Sequence, residues 1–176
     1  MARIPFVDPD AKPELAPLVA RLRGQRRGSL INIYRTLLHS PGIAESWFEH
    51  INAVRWKTGL DGRLREIVIV RVAHLTGSTY AIKQHVPRLA VPEGLSADEC
   101  AALADWPAAT TFSAAERAAL AYTDAVTRDI AVSDATFAEL ARHFGDDRIV
   151  ELTVLIGTYN MHARLVRALD IDLETD

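Results

Sequence analysis

The sequence predicts an all-α fold, and three observations carry that prediction. Helix-start signals recur along the chain, each a serine or aspartate ahead of an apolar run, and glycines stand where several of the runs end. Only one segment has the β-branched composition of a strand, and no second segment is present to pair with it. The 176 residues suit one domain, expected over residues 14–176, after an extended arm at residues 1–13 in which Pro5, Pro9 and Pro13 interrupt any helix.

From Glu14 the elements follow in order. ELAPLVARLRG reads as a helix closed by Gly24, and SLINIYRTLLH as the next. Ser40 and Pro41 form an N-cap and first-turn pair opening GIAESWFEHINAVRW. Asp61 or Gly62 starts a helix that runs to Thr76, with Gly77 placed to adopt the left-handed cap. This segment contains EIVIVRV, residues 66–72, which taken alone also suits a buried strand; its length from Gly62 to Thr76 favours a helix. Capping boxes at Ser96/Glu99 and Ser113/Glu116 open helices reaching roughly Asp105 and Asp129. Ser133 caps DATFAELARHF, Gly145 ends it, and the acids at 146 and 147 suit the positive start of a last helix of about twenty residues. A faint echo between GLDGRLREIVIV and FGDDRIVELTVL aligns Arg63 and Glu66 with Arg148 and Glu151, but such pairs are common on helix surfaces.

Composition narrows the function. A net charge of −3 gives neither a nucleic-acid footprint nor a polybasic membrane surface, so the expected partner is a small molecule or another copy of the chain. Cys100, the only cysteine, leaves no intrachain disulfide, no redox pair and no thiolate zinc set; it reads as a small core residue. No apolar run reaches the roughly eighteen residues that span a bilayer, and MARIPFVDPDAKPEL lacks the apolar core of a secretory signal, so the cytoplasm is the expected compartment. His50 and His74 have no companions at ligand spacing, and no metal is expected. Arg35 and His39, one turn apart, fit either an anion pocket or an exposed polar face, and Trp47, Trp56 and Trp106 read as packing anchors.

The stretch TGSTYAIKQH carries the chemistry. At about 100° per residue, Ser78 and His85 differ by about 20° around the helix and Ala81 lies about 60° from Ser78, so all three share a face. Twelve residues before Ser78, Glu66 sits in a helix that is apolar nearly all round, and a buried carboxylate needs a partner. A hairpin turning at Gly77 brings Glu66 toward His85, where it can orient the imidazole for acid–base work near neutral pH. A plainer reading also fits: Glu66 bridging Arg63 or Arg148, and His85, two residues before Pro87, closing its helix.

RLREIVIVRVAHLTGSTYAIKQHVPRLA resembles the core of the carboxymuconolactone decarboxylase superfamily, which includes alkylhydroperoxidase D, and the likeness extends over roughly residues 30–169. YRTLLHSPGIAESW, FSAAERAALAYTDAV and the last helix are similar to the decarboxylase-like branch. The resemblance implies an AhpD-like helical bundle around a central helical hairpin, assembled as a trimer or hexamer. In the hydroperoxidase branch a Cys-x-x-Cys pair opens the second helix of the hairpin; the matching positions here are Ser78 and Ala81, which excludes thiol peroxidase chemistry at this site. The decarboxylase branch implies a reaction that needs no cofactor, with His85 transferring the proton, Glu66 orienting it, and Ser78 or Tyr80 hydrogen bonding the substrate. Arg71 is a candidate to hold a substrate carboxylate, or else forms a salt bridge elsewhere. A non-catalytic oligomeric binding module is the remaining reading.

Overall fold

In the computed structural model the helices occur where the punctuation places them, with differences at the ends. The structure describes residues 1–24 and 29–174. Within these are α1 (Ala16–Gly24), α2 (Asn32–Leu37), α3 (Pro41–Trp56), α4 (Gly62–Thr76), α5 (Thr79–His85), α6 (Ala97–Ala102), α7 (Ala114–Arg128), α8 (Asp134–Ala141) and α9 (Asp146–Ala168), and the described residues contain no strand. None of these helices is long and apolar enough to cross a membrane. The described residues form an all-α fold.

Two compact units form, residues 1–53 with 165–176, and residues 54–164. In the first, the N-terminal arm is held by backbone and side-chain bonds to its own unit. The Val7 amide donates to the Arg35 carbonyl (3.1 Å), and the Arg3 amide to that of Leu169 (2.9 Å). His39 Nε2 meets the Pro5 carbonyl at 2.8 Å, and Arg35 donates to the Val7 carbonyl while its guanidinium lies 5.1 Å over the Phe6 ring. Arg35 and His39 therefore fasten the arm rather than frame an anion pocket. The helix expected over SLINIYRTLLH shortens to α2, whose residues Asn32, Ile33, Tyr34, Thr36 and Leu37 are buried.

The second unit is built around α4. All residues from Leu64 to Ala73 are buried, so the β-branched run that suits a strand lies inside a helix enclosed on every side. Leu64, Val68, Ile69 and Val72 enter one apolar cluster with Tyr122, Leu140, Leu152, Leu155, Ile156 and Tyr159, residues of α7, α8 and α9. Ile67 and Val70 enter a second with Leu95, Cys100, Leu103, Phe112 and Leu120. Each such aliphatic side chain contributes about 1.5–3 kcal/mol on full burial, which outweighs the few tenths by which valine and isoleucine disfavour a helix.

The helix ends follow the predicted chemistry. Asp61 caps α4, accepting from the Leu64 amide at 2.9 Å. Gly77 is left-handed (φ 63°), and the Ser78 amide returns to the Ala73 carbonyl at 2.9 Å. Both capping boxes form, Ser96 with Glu99 and Ser113 with Glu116, and Ser133 caps α8. The helix predicted to continue to Asp105 gives way after Ala102 to a 3-10 segment, Leu103–Ala108, with Asp105 in a non-helical conformation and Pro107 following. After α5 the chain widens into a π-turn, Val86–Ala90, with Pro87 at its start.

Candidate active site

Between Thr76 and Thr79 only Gly77 and Ser78 intervene, so α4 and α5 form a tight helical hairpin. Ser78 caps α5: its Oγ accepts from the Ala81 amide at 3.4 Å. At the far end of α5, His85 Nδ1 lies 2.7 Å from Glu66 Oε2. Glu66 is 0% exposed, and His85 is buried beside it.

The other carboxylate oxygen belongs to arginine. Arg55 Nη2 donates to Glu66 Oε1 at 3.0 Å, and its Nη1 donates to the Tyr159 hydroxyl at 3.1 Å. Arg65 Nε lies 3.9 Å from the same Oε1, while its Nη2 donates to Glu93 at 3.0 Å. Both guanidiniums stack over the Trp56 ring, at 4.9 Å for Arg55 and 5.0 Å for Arg65, and Trp56 remains 58% exposed. Arg63 and Arg148, the partners of the plainer reading, are engaged elsewhere: Arg63 with Glu99 and Glu116, Arg148 with Asp147 and Glu151.

Aromatic rings complete the enclosure. His85 meets Tyr159 edge-on with ring centres 5.3 Å apart, Tyr159 stacks on His162 at 5.7 Å, and His162 adjoins Tyr80 at 6.2 Å. The cluster unites α5 and α9 around the imidazole.

Burial alone works against the charge on Glu66, but His85, the hydrogen bond to it, Arg55 and Arg65 together outweigh burial and hold its pKa below the ordinary carboxylate range. Glu66 is therefore an ionised acceptor. It accepts the hydrogen bond of the His85 Nδ1–H, an arrangement that can fix the orientation of the imidazole. Burial likewise opposes the charge of Arg55, but Tyr159 and Glu66 raise its pKa further above the ordinary value, so it stays cationic.

The other sequence candidates fall in different places. Ser78 is 1% exposed and serves as the helix cap, and Tyr80 is buried against His162. Arg71 is far more committed than its assignment to substrate binding expects: Nε and Nη2 reach the two Asp124 oxygens, each at 2.6 Å, and Nη1 donates to the carbonyls of Leu103 (2.8 Å) and Ala104 (2.9 Å). That geometry braces α4 against α7 and the 3-10 segment. Cys100 is buried, and burial raises its thiol pKa, the reverse of a reactive cysteine.

Sequence reasoning missed Arg55 and Tyr159. A signal for Arg55 exists: Ala44, Phe48, Ile51 and Arg55 recur at helical spacing, so a charge occupies the next position of an apolar stripe. Tyr159 lies on the buried side of α9 with Leu152, Leu155, Ile156 and Ala163.

A profile of the carboxymuconolactone decarboxylase family matches residues 41–125, a span that includes Arg55, Glu66 and His85. An uncharacterised protein of Escherichia coli (strain K12), YnjA, is 36% identical over 118 residues. Those residues are 66% of this chain and 64% of the length of that relative. Among solved structures, a protein of unknown function from Agrobacterium tumefaciens, suggested to be the antioxidant-defence protein AhpD, superposes with a TM-score of 0.75 at 26% identity, covering 80% of this chain and 97% of that one. An uncharacterised peroxidase-related protein from Silicibacter sp. TM1040 gives 0.83 at 18% identity, covering 99% and 92%, and shows the fold.

Proposed function

The chain belongs to the carboxymuconolactone decarboxylase/AhpD-like superfamily, and on that premise we propose that it is a cofactor-independent enzyme acting by acid–base chemistry on a small carboxylated or lactone-like substrate. The observation that carries the reading is the Glu66 carboxylate shared between His85 Nδ1 and Arg55, which presents a buried imidazole with a fixed tautomer. A histidine that only closed its helix has no need of a buried, arginine-clamped carboxylate, because such a pair costs desolvation that simple packing avoids.

In a decarboxylation the C–C bond to the carboxylate breaks, carbon dioxide leaves, and the electron pair passes into the unsaturated lactone as a dienolate. Protonated His85 then donates from Nε2 to the dienolate carbon and recovers its proton from solvent. Glu66 is a positioning residue: it stabilises the imidazolium and fixes its orientation. Tyr159 and Tyr80 give the imidazole aromatic surroundings. Thiol peroxidase chemistry is disfavoured, because Ser78 and Ala81 stand where that reaction requires cysteines.

The test is proton NMR of the purified protein with γ-carboxymuconolactone in deuterated buffer, following carbon dioxide loss and deuterium incorporation. Turnover in the wild type that falls at least about a hundredfold in a folded His85→Gln variant supports the reading. Turnover that is indifferent to His85 removes the imidazole from the reaction.

A further inference from the structure

Two buried arginines of α4 use the same edge of the guanidinium differently. Arg71 presents Nε and Nη2 to the two Asp124 oxygens, each at 2.6 Å, and that edge is full. Arg65 presents Nη2 to one oxygen of Glu93 at 3.0 Å, but among the described residues nothing accepts a hydrogen bond from its Nε. Glu66 Oε1, 3.9 Å away, is an ion-pair neighbour beyond hydrogen-bond reach. Arg65 is 6% exposed, and a buried N–H without an acceptor is uncommon and costly.

The acceptor that half fills this edge sits at the surface. Glu93 belongs to the turn over residues 91–94, and its side chain is 36% exposed, so rotation about its own bonds takes the carboxylate into solvent with no helix disturbed. The carboxylate lies over Gly62, the first residue of α4, where even a methyl group would overlap it. Trp56, itself 58% exposed, stacks over the face of the Arg65 guanidinium at 5.0 Å. Arg55 and Arg65 balance Glu66 and Glu93, so exchanging Glu93 for another carboxylate preserves the charge of the group.

The geometry points to Arg65 as the carboxylate anchor of the site, with Glu93 a resident stand-in that an anionic ligand displaces to take Nη2 and Nε together. The inference rests on the reading of the site as one for a small carboxylated substrate. It gives the role that Arg71 cannot fill to an arginine beside Glu66, the acid that orients His85. A carboxylate has two acceptor oxygens that match the two N–H groups of the edge, whereas a carboxamide has one and sets its own N–H against the other.

Isothermal titration calorimetry of the full-length protein tests this with furan-2-carboxylate, a flat-ring carboxylate, against the neutral furan-2-carboxamide, and circular dichroism checks the folding of each variant. The acid is expected to bind the wild type at least about tenfold more tightly than the amide. Glu93→Gln removes the competing charge, and Gly62→Ala displaces the Glu93 carboxylate while keeping every charge. Each is expected to tighten binding of the acid by about three- to tenfold. Arg65→Lys keeps the cation, loses the two-donor edge, and is expected to weaken binding at least about tenfold. Equal binding of acid and amide, no binding of the acid to wild type and Glu93→Gln, or an affinity unmoved by folded Arg65→Lys or by the Glu93 and Gly62 variants overturns the inference. The assay needs no turnover. Acid held through Arg65 without any decarboxylation of the lactone supports the anchor and overturns the proposed reaction, whereas turnover with binding indifferent to Arg65 overturns the anchor alone.

Discussion

Arg55 and His85 grip opposite oxygens of one carboxylate. Glu66 Oε1 receives Arg55 Nη2 at 3.0 Å and Oε2 meets His85 Nδ1 at 2.7 Å, with no solvent reaching the acid. Removing either partner leaves a buried charge half compensated.

Arg55→Met keeps most of the aliphatic stem and removes the guanidinium. The expected loss of stability is about 3–5 kcal/mol, and adding Glu66→Gln to the same chain recovers part of it because the stranded charge disappears. Urea unfolding of the two single variants and the double variant measures the coupling. A coupling energy of about 1 kcal/mol or more is expected, and strictly additive losses would contradict the shared carboxylate.

Acid sensitivity has a defined direction. Hydrogen bonds from Arg63 and from the Ser96 amide lower the Glu99 pKa from 4.5 to about 2, and Glu66 is shifted the same way. A carboxyl group with a lower pKa when folded takes up its proton first in the unfolded chain. The stability it contributes is complete above about pH 4.5 and disappears as the pH falls to about 2. Urea midpoints measured from pH 6 to pH 3 are expected to fall less steeply in Glu99→Gln than in the wild type. An unchanged slope would show that the Arg63 bridge does not hold the Glu99 carboxyl in solution.

Two backbone positions give opposite outcomes on substitution. Gly77→Ala forces a side chain onto φ 63° at the hairpin turn and is expected to cost about 1 kcal/mol, with Asn at the same position costing less. Ile130, 86% exposed, already holds φ 66° as a β-branched residue, so Ile130→Gly is expected to stabilise by up to about 1 kcal/mol. Thermal melts of the three variants decide the signs.

Arg71 separates bracing from chemistry. Arg71→Met leaves Asp124 with the Trp106 indole and Arg128 and frees two carbonyls, and a loss of about 1–3 kcal/mol is expected. Below its melting temperature the variant should bind substrate with an unaltered KM, whereas a residue that held the substrate carboxylate would raise KM on removal.

The hairpin was readable from sequence because its signals are local. Asp61, Gly77 and Ser78 are end markers whose effect depends on neighbours a few residues away, and Glu66 and His85 follow from where those ends fall. The rest depends on tertiary packing. Tyr159 reaches Arg55 across 104 positions of sequence, and no periodicity encodes which core aromatic faces which buried cation. Arg71 shows the converse: its type and position suit anion binding, and only the placement of Asp124 reveals how its donors are used. EIVIVRV reads ambiguously because complete enclosure erases the amphipathic period that separates helix from strand.

The enclosure of α4 also bears on timescale. Ile67, Val68, Ile69 and Val70 are each 0% exposed and follow Glu66 directly, so their amide protons can exchange with solvent only when the second unit opens as a whole. The carboxylate is thus anchored in the segment expected to exchange slowest, while His85 stands at the end of a seven-residue helix that passes into a π-turn. Deuterium labelling is expected to find slower amide exchange around Glu66 in α4 than around His85 at the end of the shorter α5.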